Sequence, residues 1–168
     1  MALERLRAAP WLTMPETQRL FEVLDGKAGR TRAVGGIVRD TLLGISRHDA
    51  DLDLATELLP DEVMARARDA HIATYPTGTA HGTVTLRLGP VVAEVTTLRE
   101  DVRTDGRHAE VAFGTDWRAD AMRRDFTMNA LYALMDGALF DPLEGVNDCL
   151  SGRVRFIGDA DRRIAEDR

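Results

Sequence analysis

The chain has 168 residues, 44% of them apolar, and its 28 acidic against 22 basic side chains give a net charge of −6. This length and composition suit one globular domain, and no break in charge divides it. One cysteine excludes an intrachain disulfide, and no apolar run reaches the roughly 18 residues of a membrane span, so we expect a cytoplasmic protein with no membrane segment.

The first predicted elements are two helices. Residues 11–26 form a covering helix, and Pro15 suits its start. Gly35 and Gly36 precede a second helix, which Gly44 closes. Bare backbone N–H groups at a glycine-rich helix start can face a phosphate, although a glycine pair is also a common turn.

An alternating acidic run follows. In Asp51-Leu52-Asp53-Leu54 the period of two puts both carboxylates on one side of a strand and both leucines on the other. The two acidic Cβ atoms would lie roughly 6.5 to 7 Å apart, because a strand rises about 3.3 Å per residue. Carboxylates at that spacing can converge on two Mg²⁺ ions. Asp49 continues the alternation, so a register that uses Asp49 and Asp51 stays open.

Two other interpretations of the acidic run fit less well. A calcium loop counted from Asp49 would need glycine at Leu54 and glutamate at Pro60, so it fails. A phosphatase of the Asp-x-Asp-x-Thr kind would need Thr or Val at Ala55 and an apolar strand before its nucleophile. The phosphatase therefore remains a remote alternative.

The middle of the chain predicts a helix over residues 60–71 and a hairpin of strands 83–88 and 91–98 around Gly89-Pro90. Alternation puts the valines and leucines of the hairpin on one face and Glu94 on the other. We therefore expect helices on one face of a sheet and a polar working face opposite. Glu94 would be a third carboxylate near the metal pair, although a solvated acid fits equally well.

The C-terminal third begins with residues 99–108, whose charges and lack of periodicity predict a loop. Asp116 then caps a helix, and Asp136-Gly137 is a strong hairpin signal. A short helix over 145–150 and an edge element over 154–157 complete the predicted domain.

Three segments together carry a family resemblance: residues 35–44, residues 51–56, and residues 123–130 with the sequence Arg-Arg-Asp-Phe-Thr-Met-Asn-Ala. They resemble the head domain of class II tRNA nucleotidyltransferases and bacterial poly(A) polymerases, over about residues 31–168. The resemblance implies an RNA nucleotidyltransferase that adds CCA to the 3′ end of tRNA, with poly(A) addition and a non-catalytic nucleotide sensor as alternatives.

The fold that the resemblance implies is α/β (α+β), with a nucleotidyltransferase-type mixed, largely antiparallel sheet of about five strands and helices on one face. Residues 1–158 would be the head domain and residues 159–168 the start of a truncated helical neck. The acidic net charge then implies that tRNA or another RNA 3′ end is bound mainly by parts missing from this chain.

The site follows by the same resemblance. Asp51 and Asp53 would hold two Mg²⁺ ions and, with Glu94, form the catalytic carboxylates, while CTP or ATP supplies the nucleotide. Arg39 and Asp40 could instead pair with each other and brace the helix. The predicted nucleotide-binding residues are Gly35, Gly36, Arg39, Asp40, Arg124, Asp125 and Asn129.

Overall fold

The computed structural model describes residues 2–45, 51–78, 81–104 and 109–158. Asp49 and residues 159–168 lie outside these ranges, so the alternative acidic register and the start of the neck stay predictions. The helices of the described residues are α1 (Ala2–Arg7), α2 (Pro10–Thr13), α3 (Pro15–Val23), α4 (Gly36–Leu42), α5 (Pro60–Asp69), α6 (Trp117–Met122) and α7 (Gly145–Ser151). The strands are β1 (Thr31–Val34), β2 (Asp51–Thr56), β3 (Ala73–Gly78), β4 (Thr83–Leu88), β5 (Val91–Thr97), β6 (Arg99–Thr104), β7 (Ala109–Phe113), β8 (Tyr132–Ala133) and β9 (Leu139–Phe140).

One sheet organises these elements. Within the described residues it has seven strands in the order β3-β4-β5-β2-β1-β8-β9. Its central pair, β2 and β5, is parallel, and its other neighbouring pairs are antiparallel. The mixed, largely antiparallel sheet is confirmed, with seven strands in place of about five.

The main core lies between one face of this sheet and the helices. Alternation along β2 buries Leu52 and Leu54, at 2% and 1% exposure, against side chains such as Phe21 of α3 and Val38 of α4. The alternation predicted for the β4–β5 hairpin is also confirmed, because buried and more exposed residues alternate along both strands. The buried Leu86 pairs with the buried Ala93 across the hairpin.

A second, smaller apolar cluster lies on the opposite face. It joins Val34 of β1, Ala55 of β2 and Tyr132 of β8 to Trp117 and Ala121 of α6. These strand residues alternate with those of the main core, so α6 covers part of the face that we expected to be wholly polar. The exposed acidic residues of β2 lie on this same face, next to the covered part.

Two glycine positions explain how α4 begins and ends. Gly35, with φ +82°, precedes the helix, and Gly44, with φ +76°, follows it. The N–H of Gly44 donates to the carbonyl of Thr41 at 3.0 Å, and that of Ile45 to Asp40 at 2.8 Å. This is a Schellman ending, which needs a left-handed residue where Gly44 stands. The predicted helix is therefore confirmed.

The prediction of a loop over residues 99–108 was wrong for most of that segment. Residues 99–104 form β6, which pairs antiparallel with β7 as a separate two-stranded ribbon, and residues 105–108 lie outside the described ranges. The error arose from treating charge as evidence against a strand. A ribbon is held by backbone hydrogen bonds and does not require the apolar alternation of a core strand.

The remaining predicted elements are found with modest changes. The covering helix is divided into α2 and α3, and α3 begins at Pro15 as expected. Asp136-Gly137 joins the very short strands β8 and β9. The edge element over 154–157 is reduced to one bridge between Phe126 and Phe156. No helix in the described part of the chain is long and apolar enough to cross a membrane.

Candidate active site

Three carboxylates lie on one face of the sheet. Asp51 and Asp53 are exposed, while the intervening Leu52 is buried. The parallel pairing of β2 with β5 sets Asp53 directly beside Glu94, which is also exposed. The sheet therefore brings together the three acidic residues that the sequence proposed as a group.

This donor set suits Mg²⁺, which prefers oxygen ligands and is commonly held by one or two carboxylates together with phosphate oxygens of a substrate. Asp51 and Asp53 can supply those two carboxylates because their side chains leave the same face of one strand. Among the described residues, no group of three or more His, Cys, Asp or Glu side chains is arranged to hold a metal by itself. The arrangement fits a metal that is completed by substrate.

A chain of hydrogen bonds links the glycine-initiated helix to the second signature segment. Nη1 of Arg39 donates to Oδ1 of Asn129 at 2.9 Å, and Nδ2 of Asn129 donates to Oδ1 of Asp125 at 3.2 Å. The same Asp125 oxygen accepts the backbone N–H of Phe126 at 2.7 Å. Asn129 therefore connects two predicted nucleotide-binding residues that are far apart in sequence.

Arg39 also pairs with its neighbour. Its Nε donates to Oδ1 of Asp40 at 3.1 Å, and the side chains of Arg39 and Asp40 are 30% and 15% exposed. The bracing pair that the sequence left open is thus present. Since Nη1 is held by Asn129, the guanidinium of Arg39 is fixed on two sides.

A polar cavity of about 300 Å³ lies beside the acidic face. Ala55 lines the cavity and lies two positions after Asp53 on the same face of β2. Thr96 also lines it and lies two positions after Glu94 on the same face of β5. The cavity thus continues the carboxylate face toward α6. Its lining residues are Ala55, Thr96, Arg99, Asp120, Arg123, Arg124 and Asp125.

The predicted nucleotide-binding residues lie partly in the cavity and partly in the hydrogen-bonded chain beside it. Arg124 and Asp125 line the cavity, and Arg39 and Asn129 are tied to Asp125 by hydrogen bonds. Gly35 and Gly36 are not among the lining residues. The N–H of Gly35 donates to the carbonyl of Leu131 at 3.4 Å, which leaves that group less available to a phosphate.

Sequence reasoning missed Arg99, Arg123 and the buried Asp120 as parts of this cavity. The spacing of Asp120 and Arg124 was an available signal, because residues four apart on a helix are neighbours. Arg99 gave no such signal, since the segment that contains it was interpreted as a loop. Three arginines and two aspartates line the cavity, so it offers both cationic and anionic groups to a polar ligand.

Paired carboxylates on a strand face beside a polar cavity are a donor set that a metal-dependent phosphoryl-transfer site could use. The sequence matches the poly A polymerase head domain family over residues 31–155. Because that match covers most of the chain, the chain belongs to this family.

Curated relatives and solved structures support the same family membership. A curated human relative, "CCA tRNA nucleotidyltransferase 1, mitochondrial", is 43% identical over 165 residues, which is 93% of this chain and 38% of the relative. A solved Bacillus stearothermophilus CCA-adding enzyme in complex with CTP is 33% identical with a TM-score of 0.74, and covers 92% of this chain. A tRNA nucleotidyltransferase complexed with a primer tRNA and an incoming ATP analog is 26% identical with a TM-score of 0.63, and covers 84%. The chain spans 37% and 38% of those two solved chains, so it corresponds to little more than a third of these proteins.

Proposed function

We propose that this chain is the catalytic head of an RNA nucleotidyltransferase that adds CCA to the 3′ end of tRNA. The observation that carries the proposal is the exposed pair Asp51 and Asp53, which stands beside Glu94 and next to a cavity that contains Arg124 and Asp125. Family membership and the names of the relatives support the same assignment.

In the proposed reaction the 3′-hydroxyl oxygen of the RNA attacks the α-phosphate of CTP or ATP. A new phosphodiester bond forms, the bond between the α-phosphorus and the oxygen that bridges to the β-phosphate breaks, pyrophosphate leaves, and the hydroxyl proton passes to solvent water. The reaction must align two polyanions that repel each other, the RNA and the nucleoside triphosphate. Basic groups would therefore face the phosphates, while the acidic groups would hold metal ions. Asp51 and Asp53 would hold two Mg²⁺ ions, and Glu94 would act near the attacking hydroxyl.

Bound Mg²⁺ would supply positive charge to the phosphate oxygens, which carry increasing charge as the bonds exchange. The protein's own contribution is to hold those ligands rigidly. Leu52 and Leu54 anchor β2 in the core on either side of Asp53, so the backbone that carries this carboxylate cannot shift without disturbing buried apolar packing.

The nucleotide would be held by the cavity and by the hydrogen-bonded chain beside it. Asp125 has one oxygen occupied by Phe126 and Asn129, and within the described residues its Oδ2 shows no hydrogen bond, so Oδ2 is suited to accept from ribose hydroxyls. Arg124 would contact phosphate or the ribose edge. Arg39, with Asp40 as its brace and with Gly35 and Gly36 before it, would lie toward the triphosphate.

The structure favours a positioning task for Asn129. Its amide oxygen and its amide nitrogen are both engaged, with Arg39 and with Asp125. Each end of the amide keeps one further hydrogen-bonding position, but both ends are already directed at protein groups, so the orientation of the amide is set by Arg39 and Asp125. We therefore assign Asn129 to holding those two residues in register.

Replacement of the metal-binding acids tests the proposal. In the full-length protein, Asp51→Asn and Asp53→Asn should each abolish nucleotidyl transfer to a tRNA that lacks its CCA end, while circular dichroism shows an intact fold. Each substitution removes an exposed charge and leaves the core unchanged. Asp69→Asn, an exposed acid at the end of α5, is the matched control and should keep full activity. Full transfer by both Asp51→Asn and Asp53→Asn would overturn the assignment.

Two alternatives use the same fold. A poly(A) polymerase would add repeated adenylates from ATP and ignore CTP, whereas a CCA-adding enzyme stops after three nucleotides; sequencing the product separates them, and the relatives named above favour CCA. A nucleotide sensor would bind CTP or ATP without releasing pyrophosphate. Release of phosphate in place of pyrophosphate would instead indicate the remote phosphatase alternative.

The proposed partners are CTP, ATP and a tRNA 3′ end. With a net charge of −6, this chain would hold little of the tRNA by itself, and most RNA contacts would lie in other parts of a longer protein. A head domain of residues 1–158 followed by a neck from residue 159 remains our proposed division. A cytoplasmic location also remains a proposal, since the human relative is named as mitochondrial.

A further inference from the structure

A buried acid stands behind Arg124. Asp120 of α6 is 4% exposed and lies one helical turn before Arg124. Its Oδ2 accepts from Nη2 of Arg124 at 3.2 Å and from the hydroxyl of Tyr132 at 2.8 Å. Its Oδ1 accepts the backbone N–H of Arg99 at 3.4 Å, at the first residue of β6. One carboxylate thus joins α6, β8 and the start of the ribbon.

The hydroxyl of Tyr132 completes this arrangement. Tyr132 is fully buried, and its ring packs edge-on against Trp117 with centroids 5.3 Å apart. Its hydroxyl donates to Asp120 and accepts from Nε of Arg124 at 3.3 Å, while the guanidinium carbon of Arg124 lies 5.5 Å from the centre of the ring. Burial raises the pKa of the Tyr132 phenol, so it stays protonated and remains a donor at neutral pH.

Arg124 is therefore held along one edge of its guanidinium. Nε is bound by Tyr132 and Nη2 by Asp120, whereas Nη1 makes no hydrogen bond within the described residues. Burial alone would lower the pKa of Arg124, but Tyr132 and Asp120 outweigh burial and raise it, which keeps the group charged. The guanidinium is planar, so fixing one edge also fixes the direction of the other.

We propose that Tyr132 and Asp120 are positioning residues that orient Arg124 so that its Nη1 edge meets the nucleotide in the cavity. This inference rests on the proposed nucleotidyl transfer and on Arg124 as a nucleotide contact. Arg124, Asp120 and Asp125 all line the cavity, so the buried pair lies directly behind the predicted binding groups. Asp120 also accepts the backbone N–H of Arg99, so the residue that orients Arg124 is itself bonded to the first residue of the β6–β7 ribbon.

The hydroxyl of Tyr132 is what separates a positioning role from simple packing. Phenylalanine would keep the ring contact with Trp117 and the apolar cluster, and would lose only the two hydrogen bonds. If the residue served packing alone, that change would leave nucleotide binding as it was. With Nε freed and only the single bond from Nη2 to Asp120 left, the plane of the Arg124 guanidinium would be less well fixed, which weakens binding through lost preorganisation.

The experiment measures steady-state transfer in the full-length protein carrying Tyr132→Phe. We expect KM for the nucleoside triphosphate to rise about tenfold, equivalent to about 1.4 kcal/mol, with kcat changed far less. The matched control is Tyr75→Phe, which removes the same atom from a half-exposed tyrosine on the edge strand β3. Thermal unfolding of both variants would show whether either change acts through stability.

A double variant tests that the effect passes through Arg124. In an Arg124→Gln background, which itself raises KM, adding Tyr132→Phe should cause no further rise. If Tyr132→Phe does not fold, Asp120→Asn serves instead, because it keeps the shape of the side chain and removes the charge that holds Nη2; the same rise in KM is expected.

The outcomes separate the two levels of the argument. An unaltered protein that transfers no nucleotide would refute the proposed function. A normally active protein in which Tyr132→Phe behaves like Tyr75→Phe would overturn only the positioning role. An equal rise in KM with and without Arg124 would also overturn it, because the effect would then not pass through that side chain.

Discussion

Replacing Asn129 with alanine should lower kcat/KM, because this half-buried side chain bonds to two predicted nucleotide-binding residues. The substitution removes the acceptor for Nη1 of Arg39 and the donor to Oδ1 of Asp125, at 2.9 and 3.2 Å. Both partners are charged, but Asp125 is exposed and Asn129 is only half-buried. Each bond is therefore worth about 0.5 to 1 kcal/mol, below the range for buried charged groups.

The combined loss is roughly 1 to 2 kcal/mol, which corresponds to a fall of about 5- to 30-fold in kcat/KM if the bonds serve to hold the nucleotide site. Discrimination between ribonucleotides and deoxyribonucleotides should weaken as well, because Asp125 loses one of the groups that orient it. The assay is single-nucleotide addition to tRNA with CTP and with dCTP.

The control for this prediction is Asn147→Ala, the other asparagine of the chain, which is exposed on α7. It should leave both the rate and the ribose preference unchanged. An Asn129→Ala protein that keeps kcat/KM within twofold would refute the reasoning. So would additive losses in the double variant Arg39→Ala and Asn129→Ala, since residues in one network should couple.

Two further predictions concern stability. The hydroxyl of Thr127, at 2.7 Å, and the guanidinium of Arg155 lower the pKa of the buried Asp148. Its carboxylate therefore stabilises the fold at pH values above the ordinary aspartate pKa of about 3.9. This contribution is lost as the pH falls through the lowered pKa. The difference in unfolding free energy between the natural protein and Asp148→Asn should therefore be full above roughly pH 5 and shrink on acidification; a difference that stays constant from pH 7 to pH 3 would contradict this. Gly145→Ala should lower the unfolding free energy by about 1 to 3 kcal/mol or more, because the added Cβ would overlap the backbone carbonyl of Thr127. Urea titration against Gly78→Ala, where the new methyl meets only Thr83 at 3.4 Å, is the matched comparison, and equal stability of the two variants would count against the overlap.

Local sequence patterns were sufficient for much of the fold. The alternation of Asp51 and Asp53 with buried leucines, the helix that ends at Gly44, and the hairpin over residues 83–97 are all found as predicted. Each depends on interactions within a few residues: the period of two along a strand, a left-handed glycine, or a tight turn. The signature at residues 123–130 added the family, which the comparisons bear out.

Other features depended on pairings that no short segment specifies. The parallel contact of β2 with β5 puts Glu94 beside Asp53, and only the order of the whole sheet determines that pairing. The bond from Arg39 to Asn129 spans 90 residues. The loop predicted over residues 99–104 was likewise wrong, because pairing with β7, from Thr104 with Ala109 to Arg99 with Phe113, supplies the hydrogen bonds that a single strand lacks.

The sequence by itself determined which side chains alternate, where helices stop and which chemical groups are available: carboxylates on a strand, glycines before a helix, and an Arg-Arg-Asp segment. Only the tertiary structure decided their neighbours. Asp120, which the sequence analysis did not single out, is buried and bonded to Tyr132 and Arg124. The physical reason is that backbone periodicity is local, whereas burial and pairing are set by the cooperative packing of strands and helices brought together from the whole chain.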